Sequence, residues 1–155
     1  MSIYFWDSNI LRVFSDNPDH SVLCKHIERV FWDRILLPSV VVAESWRGRL
    51  RRIDTVPKAR PEEAIFPYQK LVETHEVLRL FTVTPFDKGS ANRLLWLRQD
   101  MKRRKKSIKK RHADMMIAAM TLSYEFILIT RNEKDFADLL PAHQVENWID
   151  KPFVR

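Results

Sequence analysis

Four acidic residues stand out by where they fall: Asp7 in IYFWDSNIL, Glu44 in SVVVAESWRG, Asp114 in RHADMMIAAM and Asp135 in ILITRNEKDF. Each lies beside an apolar run, where a strand should end or a helix begin, and an unpaired charge buried there is costly. Four such positions in one chain point to a carboxylate cluster. Ionised carboxylates a few ångströms apart repel each other. A hard divalent cation relieves that repulsion and favours carboxylate and water ligands, so Mg²⁺ or Mn²⁺ is the expected cofactor. Such a site activates water and stabilises charge developing on a phosphodiester, with two ions about 4 Å apart as one arrangement. The expected reaction is hydrolysis to a 5′-phosphate and a free 3′-hydroxyl.

Each acid also has a plainer role open to it. Asp7 and Asp135 can cap helices, Asp114 can complement a helix dipole, and Glu44 can pair with Arg47 or Arg51. Other chemistry is less well supported. His112 adjoins Asp114, but a surface position is expected of it, and His20, His26, His75 and His143 have no metal-ligand spacing. No Ser, Cys and His grouping suggests a covalent nucleophile. Cys24 is the only cysteine, which excludes an internal disulfide or a cysteine-based zinc site and leaves it as a small core residue. The tryptophans fall mostly on apolar faces, with Trp46 and Trp96 as possible interface residues.

The elements that must position the acids follow from periodicity. IYFW at 3–6 reads as a buried strand ending in a helix cap, and ILLP at 35–38 as a strand stopped by proline. SVLCKHIERVFWDR at 21–34 has helical spacing. Segment 39–53 reads as a helix opened by Ser39 as its cap, although its β-branched start leaves a strand open. After the loop 56–63, the chain is mainly helical to Phe81, with Pro67 marking a break or late start. TVTPFD at 82–87 is an expected strand before the helix DKGSANRLLWLRQDM. HADMMIAAMTLSYEF at 112–126 is a strongly apolar helix, FILIT a strand, NEKDFADLL a short helix and QVENWI at 144–149 a last strand. Alternating strands and helices argue an α/β sandwich around a mainly parallel sheet. Asp7 and Asp135 then fall at one sheet edge by chain order, because each follows a strand.

At 155 residues, 45% apolar and 30% charged, the chain fits one globular domain spanning 1–155. No apolar run is long enough to span a bilayer, and MSIYFWDSN has neither a basic start nor a long apolar stretch, so a cytoplasmic protein is expected. The only glycines are Gly48 and Gly89, so there is no glycine-rich phosphate loop. The net charge is +7, and eight basic residues fall in KRRKKSIKKR: Lys102, Arg103, Arg104, Lys105, Lys106, Lys109, Lys110 and Arg111. Without that run the chain carries −1. The basicity therefore reads as one local patch, suited to a polyanion's backbone or to an acidic protein segment.

The order and context of these motifs resemble a PIN domain, in particular the small VapC-type toxins of bacterial toxin–antitoxin pairs. The resemblance covers nearly the whole chain. It rests on the start through DSNIL, on VVVAESWRG, on HADMMIAAMTL and on ILITRNEKDF. It implies an α/β/α sandwich whose metal-binding acids are Asp7, Glu44 and Asp114. A fourth acid falls on Asp135, with Asn132 as a neighbouring polar ligand and Ser8 and Thr130 as supporting positions. Upstream of Asp114 the chain has SIKKRH where relatives often have a glycine-containing turn, which implies stronger backbone binding. The resemblance further implies an Mg²⁺- or Mn²⁺-dependent endoribonuclease, homodimeric, silenced by an antitoxin that docks over residues 39–80. A housekeeping RNA-processing or DNA-directed nuclease of this fold, or a non-cleaving binder of RNA or protein, is the alternative.

Overall fold

The computed structural model describes residues 1–154. Five strands form one sheet: β1 (Tyr4–Trp6), β2 (Ile35–Pro38), β3 (Thr82–Thr84), β4 (Ile127–Ile129) and β5 (Val145–Glu146). Their spatial order is β3-β2-β1-β4-β5 and every pairing is parallel. The central strand β1 sets Phe5 opposite Leu36 of β2 and Leu128 of β4. Its residues are buried on both faces, as a parallel sheet covered by helices requires.

Side chains of β1 alternate between the two faces. Phe5 points into a cluster with Tyr124 and Phe126. Trp6 packs edge-on against Phe14, Trp32 and Trp148 and tilts against Phe81. The aromatic spread of this short chain is thus mostly spent on fixing one strand, the strand that carries Asp7.

Seven helices complete the three-layer sandwich: α1 (Ser8–Asp16), α2 (Ser21–Val30), α3 (Ser39–Asp54), α4 (Ile65–Leu78), α5 (Lys88–Arg103), α6 (His112–Tyr124) and α7 (Glu133–Phe136). Asp7 caps α1, accepting the Ser8 backbone N–H at 2.7 Å. Asp87 caps α5 through Ser90. Helix α6 is buried on most sides, as its composition predicts. Gly89 lets α5 approach it: a Cβ there would lie 2.5 Å from Ser123 Oγ.

Several boundaries differ from the sequence reading. Helix α3 forms as expected, but Ser39 lies inside it and Pro38 holds the cap position without a side-chain bond. The Ser39 hydroxyl instead accepts the Phe86 backbone N–H at 3.0 Å, tying α3 to the segment after β3. Helix α2 stops at Val30 because Phe31 turns left-handed at φ 68° before a 3₁₀ turn leads into β2. The last strand is only two residues long, because Asn147 Oδ1 accepts the N–H groups of Ile149 and Asp150 and bends the chain away. Pro67 sits in the first turn of α4, where its missing N–H is tolerated. Cys24 is half-buried rather than a core residue. Trp46 is also half-buried, and Trp96 is 49% exposed. Among the described residues no helix is long and apolar enough to cross a membrane.

Candidate active site

The sheet topology decides where a site can form. From β1 the chain runs outward through β2 to β3, then crosses to the other side of β1 for β4 and β5. The order reverses between β1 and β4, and ligands of open parallel sheets bind beyond the strands' carboxyl ends at such a reversal. Asp7 is the first residue after β1 and Thr130 the first after β4.

Asp7 is 5% exposed and held from several directions. Beyond the Ser8 N–H, its other oxygen accepts the Thr130 hydroxyl at 2.8 Å and the Asn9 side-chain N–H at 3.2 Å. Burial pushes its pKa up and these hydrogen bonds pull it back, with the upward push winning. Asp7 therefore fills both roles open to it: it caps α1 and it stands at the site. Thr130 is fully buried, and its hydroxyl also accepts the Asn132 backbone N–H at 3.1 Å.

Glu44 enters from α3 and is half-buried. Its pKa is raised first by burial, then by the charges of Asp7 and Asp114, while Arg47 opposes the shift. Among the described residues it makes no salt bridge, so pairing with Arg47 or Arg51 is not its role. Asp114 lies in the first turn of α6. Burial pushes its pKa up to about 6, helped by Asp7 and Asp135 and opposed by Arg111. Asp135 is exposed on α7, near enough for its charge to act on Asp114. The structure thus gathers all four acids at one edge, with Asp7, Glu44 and Asp114 close enough to repel one another. Asn132 stands exposed before α7, where its side chain makes no capping bond.

The donor set is oxygen only, which suits a hard cation. Among the described residues no three carboxylate, imidazole or thiol groups converge as ligands of one ion. Mg²⁺ does not require that, since it keeps several waters and binds through one or two carboxylates plus substrate phosphate. Mutually raised carboxylates with little cationic compensation therefore fit such an ion.

Two further residues were not singled out from sequence. Asn9 bridges the site: its amide nitrogen reaches Asp7 and Thr130, and its oxygen accepts the Arg131 N–H at 3.0 Å. Its place in DSNIL, two residues past Asp7, was the available signal. Asp138 binds Arg111 through both carboxylate oxygens, at 2.9 and 2.7 Å. Arg111 also donates to the Asp135 carbonyl at 2.8 Å, so it anchors the segment carrying the fourth acid.

That pairing changes the view of the basic run. Arg103 and Arg104 both pair with Asp100, and Arg104 donates to the Asp138 carbonyl at 2.6 Å. Lys102, Lys105, Lys106, Lys109 and Lys110 are exposed and make no ion pair among the described residues. His112 is exposed beside them.

The PIN domain family profile matches residues 4–139, from β1 past Asp135. The chain belongs to the PIN domain family. Proteins of that family are nucleases, hydrolases that act on nucleic acids, and the acid edge is the candidate centre for that activity here. No curated protein sequence matches the chain. Solved structures match over nearly its full length. The DNA-bound VapBC of Salmonella typhimurium is 18% identical with a TM-score of 0.74, covering 96% of this chain and 99% of that one. VapBC-1 of nontypeable Haemophilus influenzae is 19% identical with a TM-score of 0.72, covering 94% and 98%. FitAcB of Neisseria gonorrhoeae is 21% identical with a TM-score of 0.67, covering 96% and 100%. At these identities the likeness establishes a shared PIN fold.

Proposed function

We propose that this PIN domain is a single-domain, Mg²⁺- or Mn²⁺-dependent endoribonuclease acting as the toxin of a toxin–antitoxin pair. The observation that carries the catalytic part is the set Asp7, Glu44 and Asp114 at the sheet's reversal point. Two half-buried acids and one buried acid, each raised in pKa by burial and two of them by their neighbours, are a poor arrangement for stability alone.

Asp7, Asp114 and Asp135 would hold the divalent ion, directly or through water, and Glu44 would position a second ion or the attacking water. When bound, the ion lowers the pKa of water and neutralises charge on the scissile phosphate. Thr130, Ser8 and Asn9 fix the Asp7 carboxylate by donating to it. Glu44, whose pKa burial raises, would accept a proton from water aimed at the phosphate. Arg111 holds α7, and so Asp135, against Asp114.

The toxin part is supported by the solved structures of like fold, described as VapBC, FitAcB or toxin–antitoxin complexes. An antitoxin would dock over the α3–α4 surface, where Ile65, Tyr68 and Val72 form an exposed apolar row at helical spacing. A homodimer and a cytoplasmic setting belong to the same proposal.

The test is cleavage of total cellular RNA by the wild type and Asp7→Asn, each with Mg²⁺, Mn²⁺ or EDTA. Discrete fragments that need both the ion and Asp7 are expected. Equal cleavage by the two proteins, or cleavage in EDTA, would overturn the assignment.

A further inference from the structure

The basic run is not the only concentration of positive charge. A groove of about 650 Å³ opens between α1, α3 and α4, and its lining includes Ser8 and Glu44 of the acid edge. Helix α1 contributes Arg12 to its wall, at the spacing that puts Ser8, Arg12 and Ser15 on one helix face. Helix α3 contributes Glu44, Gly48, Arg49 and Arg52, again one face. Helix α4 adds Phe66, Lys70 and Thr74.

Neither Arg12 nor Arg52 has an acidic partner among the described residues, and both are exposed. Arg49 donates to the Thr74 hydroxyl at 2.8 Å, which leaves its charge uncompensated while it braces α3 against α4. Lys70 pairs with Glu73 at 2.7 Å. Against these cations the groove offers Asp16 and Glu44. It is open at Gly48, where a Cβ would meet nothing within 4 Å. Glycine is a poor helix former, and no close packing at this position requires it. Phe66 is 62% exposed on the wall.

We infer that this groove is the substrate channel: a single-stranded RNA segment lies along α3, its phosphates on Arg12, Arg49 and Arg52 and one base on Phe66, and delivers the scissile phosphate to Glu44. The inference rests on the ribonuclease reading and names the surface that presents its substrate. Glu44 and Arg52 are eight residues apart on one helix, about 12 Å along its axis, which suits a short run of nucleotides. A basic track with an aromatic platform is what sequence-tolerant single-strand binding requires. The acid edge then lies between the groove, reached through Glu44 and Ser8, and the lysine-rich loop, reached through Asp114 and Arg111. Positive flanks on both sides of a negative centre let one strand cross it.

The experiment measures binding of a short fluorescein-labelled single-stranded RNA of mixed sequence by anisotropy, over a range of salt, with Asp7→Asn as the non-cleaving parent. In that parent, Arg12→Gln with Arg52→Gln should weaken binding about tenfold or more. The salt slope should fall by about 1.4, two phosphate contacts at about 0.7 each. Phe66→Ala should weaken binding about tenfold with the slope unchanged. Gly48→Glu, whose Cβ meets no neighbour, should block binding while the thermal midpoint holds or rises. Unchanged affinity and slope in the arginine pair, with wild-type cleavage intact, would overturn the groove while leaving the nuclease reading standing. A groove that serves only a protein partner would give that result. Absence of any RNA cleavage by the wild type would instead remove the reading on which the groove depends.

Discussion

Two basic regions flank the acid edge, and they differ in almost every respect. The 102–111 run is contiguous and conspicuous in the sequence, yet three of its eight cations are already paired with Asp100 or Asp138. What remains is five exposed lysines, Lys102 at the end of α5 and the others in the following loop, with left-handed turns at Lys105 and Lys110. The α1–α3–α4 groove is concave, its lining is dispersed from Ser8 to Leu78 in the sequence, and its arginines have no acidic partner among the described residues. Density of charge along a chain is therefore a poor guide to the field a ligand meets. Arginine in a groove presents a fork for phosphate, whereas lysine on a loop is a hydrated point charge.

The largest expected effect separates the two regions directly. Reversing the groove by Arg12→Glu and Arg52→Glu should cut single-turnover RNA cleavage about a hundredfold, whereas Lys105, Lys106, Lys109 and Lys110 all changed to Gln should cost about tenfold or less. Comparable losses would erase the distinction.

Arg111 sharpens it from the other side. Its Asp138 pair is mostly shielded, so Arg111→Ala should destabilise the fold by about 2 kcal/mol, read as a lower midpoint in urea, and reduce cleavage through a displaced Asp135. Loss of RNA affinity at unchanged stability would return Arg111 to the RNA-contacting set.

The acid edge between the two regions should show its own pH signature. Folded Asp114 takes up a proton at about 6, while the unfolded chain does so only near 3.8. The folded state binds more protons in that window, so this group makes the metal-free protein more stable as pH falls from 7 toward 4. Asp114→Asn should accordingly raise the thermal midpoint of the metal-free protein at pH 7 while abolishing cleavage. A lower midpoint in that variant would mean that Asp114 serves the fold rather than the reaction. The smallest effect should come from Asp100→Asn, which frees Arg103 and Arg104 and should steepen the salt dependence of RNA binding slightly.

Much of this architecture could be read from the sequence, because the β1, β2 and β4 patterns are short, apolar and bounded by polar signals. The acids were legible for the same reason: Asp7 directly follows a strand and Asp114 opens an apolar helix. The misplaced ends of α2 and α6 share a physical cause. Glycine is nearly absent, and the left-handed positions that end elements are held by Phe31, Lys105, Lys110 and Glu125, none of which signals a turn. Ser39 looked like a cap because serine favours caps, but a tertiary bond to Phe86 competes for its hydroxyl. The groove was invisible to charge counting because its arginines are cancelled in the sum by acids elsewhere, and only packing of α3 on α1 and α4 brings them together.

One measurement tests the account most directly: single-turnover cleavage of one RNA with Mg²⁺ by the wild type, by Arg12→Gln with Arg52→Gln, by the four-lysine variant and by Asp7→Asn. The account predicts full activity, a large loss, a small loss and none, in that order. Cleavage by Asp7→Asn at the wild-type rate, or a groove variant as active as the wild type beside a dead lysine variant, would contradict it.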